Sequence, residues 1–168
     1  MIIRELHKED LPLRVEWMNH PKVYSSMHFE IPILMENTLK WYHRIKDDPS
    51  RSDVVFVRNE KVVAFGGLTS ITSMKDGMAE LYVFVDPLEQ HTGCGTLATR
   101  LLCDWGFNKI GLHKIYLYTN EDNLPAIKVY KKCGFILEGK HRQEYLDGAG
   151  LYKDRLYFGL LKSEWEKL

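Results

Sequence analysis

Apolar positions along the chain fall into short alternating or continuous blocks, interrupted by four stretches where they recur every three or four residues. These two periods predict the order of elements. Ile2 to Leu6 reads as a first strand. Asp10 stands where a helix cap belongs, with Pro12 in the first turn and Leu11, Val15 and Met18 on one face, and His20-Pro21 predicts the end of that helix. A second helix is predicted over about Glu36 to Lys46, where Leu39, Tyr42 and Ile45 face a core and Asp48-Pro49 follows. Between the two, Tyr24 to Pro32 is aromatic and irregular. Three β-rich blocks come next, Val54 to Arg58, Val62 to Thr72 and Met78 to Val85. The short polar turns between them, Asn59-Glu60-Lys61 and Lys75-Asp76-Gly77, favour antiparallel neighbours.

A third helix, about Cys94 to Lys109, places Ala98, Leu101, Leu102 and Trp105 on one stripe, and Gly111 suits a left-handed C-terminal turn. His113 to Tyr118 is a strand reached by a crossover, so it is expected to run parallel to the strand ending at Val85. A last helix, about Pro125 to Lys132, ends at Cys133-Gly134. Two strands follow, Phe135 to Tyr145 and Leu151 to Leu161, joined through Asp147-Gly148-Ala149-Gly150. No repeat, linker or low-complexity segment divides this pattern. Residues 1–168 therefore read as one α/β domain with a mixed, mostly antiparallel sheet of about seven strands and flanking helices.

Composition removes several function classes. The 23 basic and 23 acidic residues cancel, so no global field recruits nucleic acid or an anionic membrane. Cys94, Cys103 and Cys133 are odd in number and lack any CxxC or zinc-like spacing, and the histidines lack metal-ligand spacing, so neither a disulfide framework nor a metal is expected. Met1 to Glu5 has no apolar run behind basic residues, and no stretch approaches the ~18 apolar residues of a membrane helix. The expectation is a soluble, unprocessed, cytoplasmic protein.

Candidate chemistry centres on the junction after Val85, where Asp86-Pro87 leads into Gln90-His91-Thr92-Gly93-Cys94-Gly95-Thr96 and a helix begins. Two glycines let successive N–H groups point at one anion, and the helix adds its unpaired N–H groups and positive dipole end. A polyphosphate-bearing cofactor follows. A Walker loop would need Lys and then Ser or Thr after the second glycine, where Thr96-Leu97 stand. Gly93, Gly95 and Ala98 fit the dinucleotide pattern GxGxxA, with Glu121 at about the ~20-residue distance of a ribose-binding acid. That turn should follow its strand directly, however, and Pro87 breaks the strand well before Gly93. The third reading is QxxGxG, beginning at Gln90.

Further on, Asn123, Ala126, Tyr130, Lys132, Gly134 and Phe135 spell NxxAxxxYxKxGF across the last helix. Together the two motifs, in this order and on these elements, resemble the GCN5-related N-acetyltransferases over Ile2 to about Leu161. The resemblance implies a central parallel strand pair at an acyl-CoA site, acetyl-CoA as cosubstrate, and transfer to a primary amine by direct attack on the thioester. It implies that backbone amides of Gln90, His91, Thr92, Gly93, Cys94, Gly95 and Thr96 hold the CoA pyrophosphate. It also implies that the strand through Val83 and Val85 pairs with the pantetheine amides, and that Asn123 meets the pantetheine arm. Residues 78–135 would form the cofactor half, and 10–48 with 136–161 the acceptor site.

Tyr130 would protonate the departing thiolate, a role a phenol near ~10 can fill beside a thiol near ~8.5. Packing alone also accounts for it, since Ala126, Ile127 and Tyr130 share a helical face. Asn123 equally suits a helix N-cap. The attacking amine must lose a proton, and Glu80, on one sheet face with Tyr82 and Phe84, is the candidate base, with a cross-strand ion pair as the alternative. Lys132, with Lys128 and Lys131, is placed to meet a CoA phosphate or simply to face solvent. Cys94 has no His partner in view and reads as a small residue rather than a nucleophile. The resemblance implies that the two N-terminal helices and the final hairpin govern the acceptor. There, Glu138-Gly139, Arg142, Asp147-Gly148, Tyr152, Asp154 and Glu164-Trp165 resemble the branch acetylating ribosomal-protein N-termini. Glu16-Trp17-Met18-Asn19, Val23, Met27 and Trp41 resemble enzymes acetylating nucleotide-linked amino sugars. The acceptor expected is a small-molecule amine or a peptide N-terminus, and a homodimer through late edge strands is open. A CoA-binding regulatory module without chemistry is the reading from another class.

Overall fold

The structure is a computed structural model that describes residues 1–27, 30–72, 75–147 and 150–168. His28 and Phe29 of the aromatic segment, and Gly148 and Ala149 of the last connection, lie outside the described residues. Seven strands form one sheet: β1 (Ile2–Glu5), β2 (Ser52–Arg58), β3 (Lys61–Thr69), β4 (Met78–Val85), β5 (Lys114–Asn120), β6 (Ile136–Leu146) and β7 (Tyr152–Leu161). Their order is β1-β2-β3-β4-β5-β7-β6, antiparallel throughout except for the parallel β4–β5 pair. The helices are α1 (Leu11–Met18), α2 (Pro21–Tyr24), α3 (Met35–Ile45), α4 (Cys94–Asp104, continued as a π-helical segment over Trp105–Ile110), α5 (Leu124–Lys132) and α6 (Lys162–Trp165).

Period-two alternation divides the core between the two faces of the sheet. Val54, Phe56, Ala64, Leu68, Leu81, Ile115, Leu117, Phe158 and Leu160 pack with Ala98, Leu102 and Phe107 on the α4 side. Val55, Phe65 and Phe84 pack with Leu11, Trp17, Met18 and Val23 on the side of α1 to α3. Gly111 (φ 84°) ends the third predicted helix in a left-handed turn, as its position requires.

α1 stops at Met18, before His20-Pro21 as predicted, and Pro21, suited to a first helical position, opens the short α2. Two local expectations need correction. Asp10 does not cap α1 with its side chain. Its carboxylate accepts two bonds from Arg4 (2.7 and 2.8 Å) and one from the His7 N–H (2.8 Å), which ties β1 to the turn before α1. The third strand stops at Thr69 rather than Thr72, where Ser70 turns to φ 52°.

Candidate active site

β4 and β5 pair in register through Met78–Lys114, Ala79–Ile115 and Glu80–Tyr116. Beyond Glu80, β4 stays with β3 as far as Val85 opposite Ala64, and β5 stays with β7 as far as Asn120 opposite Arg155. The sheet forks there, and a cleft of about 510 Å³ opens between the arms. Val83, Phe84 and Val85 line one side, Tyr118 and Thr119 the other, and the loop before α4, the start of α4 and the face of α5 complete the walls.

The loop is held by its neighbours. Arg58 pairs with Glu89, and the Thr92 hydroxyl donates to the Glu89 carbonyl at 2.7 Å. The Gln90 amide donates to the Lys22 carbonyl at 3.0 Å, and the Lys22 ammonium donates to the Pro87 carbonyl at 3.2 Å, so α2 is tied to the loop. His91 (φ 65°) and Gly93 (φ 83°) are both left-handed and bring the first turn of α4 to the cleft wall.

Ten of the residues named from sequence line this one cleft: Val83, Val85, Gln90, His91, Gly93, Gly95, Thr96, Asn123, Tyr130 and Lys132. Lys128 joins them. The Thr92 and Cys94 side chains turn away, Thr92 to Glu89 and Cys94 into the core, where its thiol donates to the Val63 carbonyl at 3.6 Å. Burial pushes the Cys94 thiol up, which disfavours the thiolate a nucleophile needs. Glu80 sits at the base of the fork rather than on the cleft wall.

Tyr130 lies with its ring 6.0 Å from that of Phe135 and 6.1 Å from that of Phe158. Burial, with a smaller contribution from Cys133, pushes its phenol up to about 12, so it is fully protonated at neutral pH. Both readings of the tyrosine therefore coexist in one place, packed on the sheet and bordering the cleft. Asn123 likewise caps α5, its side-chain oxygen accepting from the Ala126 N–H at 3.3 Å, while lining the cleft. Glu80 is half-buried, and no ion pair closes on it among the described residues. Burial raises its carboxyl above the usual range, and the Arg155 guanidinium draws it part of the way back.

The cleft fits a long phosphorylated cosubstrate on a point internal to the protein. A Cβ at Gly95 would meet Val85 at 3.7 Å and Val129 at 4.0 Å, ordinary contact, so the fold itself does not require glycine there. What its absent side chain leaves open is the cleft, at the unpaired N–H groups of a helix start.

The Acetyltransferase (GNAT) family model matches residues 11–135. The chain belongs to the GNAT family. It is thus an acetyl-CoA-dependent N-acetyltransferase, and the QxxGxG and NxxAxxxYxKxGF motifs fall on the two walls of its cleft. Spermidine N(1)-acetyltransferase of Escherichia coli (strain K12) is 28% identical over 167 residues, covering 97% of this chain and 87% of the relative. L-amino acid N-acetyltransferase AaaT of the same strain is 27% identical, covering 96% and 98%. The crystal structure of spermidine N-acetyltransferase from Vibrio cholerae in complex with CoA and spermine superposes with a TM-score of 0.92 at 23% identity, covering 98% of this chain and 97% of that one, which fixes the shared fold.

Sequence reading did not reach Lys22 and Ser26, which close one side of this acetyltransferase's cleft together with Val23 and Met27, two residues named only for the acceptor side. Their place depends on how α2 docks onto the loop, which no local pattern encodes. Tyr118 was within reach, because Tyr116 and Tyr118 alternate with the buried Ile115 and Leu117 and so had to face the other way. Among the described residues, no group of three or more His, Cys, Asp or Glu could hold a metal, and no helix is long and apolar enough to cross a membrane.

Proposed function

We propose that the protein transfers the acetyl group of acetyl-CoA to a primary amine of a small molecule, with a linear polyamine as the first acceptor to test. The observation that carries this reading is the position of Glu80. It is the last β4 residue paired with β5, with the Tyr130-lined cleft beyond the fork on one side and, on the other, a sheet face bearing Tyr116, Tyr118 and Tyr157.

Backbone amides at Gly93 to Thr96 receive the pyrophosphate, Lys132 and Lys128 face its charge, and the free edge of β4 at Val83 and Val85 pairs with the pantetheine amides. This aims the thioester at the fork. Glu80, through water, takes a proton from the incoming ammonium, which near ~10.4 has no lone pair at neutral pH. The nitrogen attacks the carbonyl, the C–N bond forms and the C–S bond breaks. Tyr130 gives its proton to the departing sulfur, and the nitrogen releases its second proton through water, which restores the Tyr130 phenol.

The relatives named for spermidine and for L-amino acids align over nearly the whole chain, and their names favour a small amine over a peptide terminus. A second reading, an amino-acid acceptor, is favoured by Arg155, which lies beside Glu80 with its Nε 4.0 Å from Glu144 and in no hydrogen bond among the described residues, and whose guanidinium suits a carboxylate. CoA-thiol release against spermidine, spermine, L-amino acids, nucleotide amino sugars and N-terminal peptides tests the choice. Turnover confined to peptides would overturn the small-amine reading.

A further inference from the structure

The sheet face beyond Glu80 carries a feature that the transfer chemistry does not use. Tyr116 and Tyr118 of β5, Tyr157 of β7 and His141 of β6 form a continuous aromatic floor. Tyr157 is its hub, stacked on Tyr116 (5.4 Å, 27°) and on His141 (5.9 Å, 6°) and edge-on to Tyr118 (4.9 Å, 63°). The core cluster beneath α1 to α3 does not extend to these rings, and all three tyrosines remain partly exposed. Aromatic cross-strand pairs stabilise any sheet. Two further observations go beyond that explanation.

The first is continuity, because Tyr118 also lines the cofactor cleft, so the floor begins where the thioester would lie. The second is electrostatic. Glu80, Glu138 and Glu144 surround the rings and, after burial, help to push the Tyr116, Tyr118 and Tyr157 phenols up. The cations bordering the same face already have acidic neighbours, Lys114 with Glu138 at 2.6 Å and Arg155 with Glu144 at 4.0 Å, and the His141 Nδ1 lies 2.9 Å from the Glu144 carboxylate. Moreover, the Lys114 ammonium lies 5.6 Å from the Tyr157 ring centroid, so an ammonium is already accommodated at this hub. Glu80 and Tyr157 stand two strands apart and two residues apart along them, roughly 12 Å, a distance that an extended triamine spans with an ammonium near each end.

We infer that the Tyr118–Tyr157–His141 floor holds the distal ammonium of a linear di- or triamine while Glu80 receives the amine to be acetylated, so that these rings set acceptor specificity. The inference rests on the polyamine reading above. Rings present their negative faces to the cation, and the methylenes lie along apolar carbon.

The test compares kcat/KM for spermidine with that for n-butylamine, which lacks a distal charge, at saturating acetyl-CoA in wild type, Tyr157→Leu and Tyr157→Phe. The spermidine-to-butylamine ratio should fall about tenfold in the Leu variant, through KM, and be retained in the Phe variant, the scale and pattern of a cation–π contact. An unchanged ratio in Tyr157→Leu overturns the inference while leaving the polyamine reading intact. Should Tyr157→Leu fail to fold, His141→Ala at an exposed position is read in the same way. No turnover of any polyamine by the wild type sinks the polyamine reading. Calorimetric titration of the CoA-saturated protein with spermidine then judges the floor directly: binding lost in Tyr157→Leu and kept in Tyr157→Phe supports it, and no binding overturns it.

Discussion

Substituting Gly95 by alanine separates what the fold needs from what the cosubstrate needs. Gly95 lies in the first turn of α4, where its added Cβ would touch Val85 and Val129 at 3.7 and 4.0 Å without displacing either. Alanine is the better helix former by up to about 1 kcal/mol and restricts the unfolded chain, so stability should rise by roughly 0.5–1 kcal/mol. For a chain of this size that corresponds to about 1–4 °C in Tm. The methyl group also enters the cleft at the point assigned to the pyrophosphate, and loss of one close backbone contact to an anion should weaken acetyl-CoA binding at least tenfold, about 1.4 kcal/mol. Two other glycines serve as controls. Gly106→Ala places a Cβ 2.8 Å from Ile115 and 2.9 Å from Leu68, an overpacking that should cost about 1–3 kcal/mol. Gly93→Ala has open space but φ 83°, and should cost about 1–2 kcal/mol from strain alone. Thermal unfolding without ligand and calorimetry with acetyl-CoA read the two effects separately. Wild-type affinity in Gly95→Ala would refute the placement of the pyrophosphate, and a lowered Tm would refute the claim that the fold tolerates a side chain there.

Tyr130→Phe should lower kcat by about 10²-fold while leaving acetyl-CoA affinity within about twofold. Because the phenol is held up to about 12, wild-type kcat should show no alkaline limb from this group below about pH 10, and a limb near pH 9 that vanishes in the Phe variant would contradict the assignment. As the proposed base, Glu80 would work only as the carboxylate. Since burial raises its pKa, the acidic limb of kcat should lie above the ordinary glutamate range near ~4.3 and disappear in Glu80→Gln. At Asp10, burial acts to raise the carboxyl but is outweighed by the hydrogen bonds from Arg4 and the His7 N–H and by the Arg4 charge, so the folded-state pKa is lowered. Its contribution is therefore present above the unfolded value near ~3.9 and lost as pH falls through the folded value. Asp10→Ala should cost about 1.5–3 kcal/mol in urea unfolding at pH 7, and the gap from wild type should narrow at pH 3.

Element order was legible because the periods are clean: strands alternate, the long helices carry stripes, Gly111 marks an end by its left-handed backbone and Asn123 a start by its side-chain cap. The wall of the cleft was legible because one contiguous loop and one helix face supply most of it. Features set by competition between partners were not. The Asp10 carboxylate had a choice between the amides of α1 and the Arg4 guanidinium on the preceding strand, and the bidentate pair won. Cys94 and Thr92 occupy loop positions indistinguishable in sequence from Gly95 and Thr96, yet the turn at Gly93 sends their side chains to the core and to Glu89. The contribution of Lys22 to Met27 depends on a docking 65 residues distant in the chain, fixed by the Lys22 bond to the Pro87 carbonyl.

The fork itself follows from how each arm is paired. β5 and β7 hold full register over seven residue pairs, Lys114–Leu161 to Asn120–Arg155, and so form one ribbon. β4 is committed to the other side by more than its backbone. At Gly67 of β3 a Cβ would lie 2.7 Å from the Tyr82 ring, so glycine there lets the ring cross β3. The Tyr82 hydroxyl then donates to Asp53 of β2, whose carboxylate also takes two bonds of 3.0 Å from Arg51. Burial pushes the Tyr82 phenol well up, so it remains a donor to that carboxylate at any working pH. With Tyr82 anchored two strands away and β5 anchored to β7, the segment from Leu81 to Val85 cannot follow β5. Its outward edge stays open to a ligand that can imitate a strand. The same anchoring leaves Glu80, two residues before Tyr82, as the last residue shared by both arms. In this chain the candidate base therefore stands where it does because a glycine and a buried aspartate hold its neighbour.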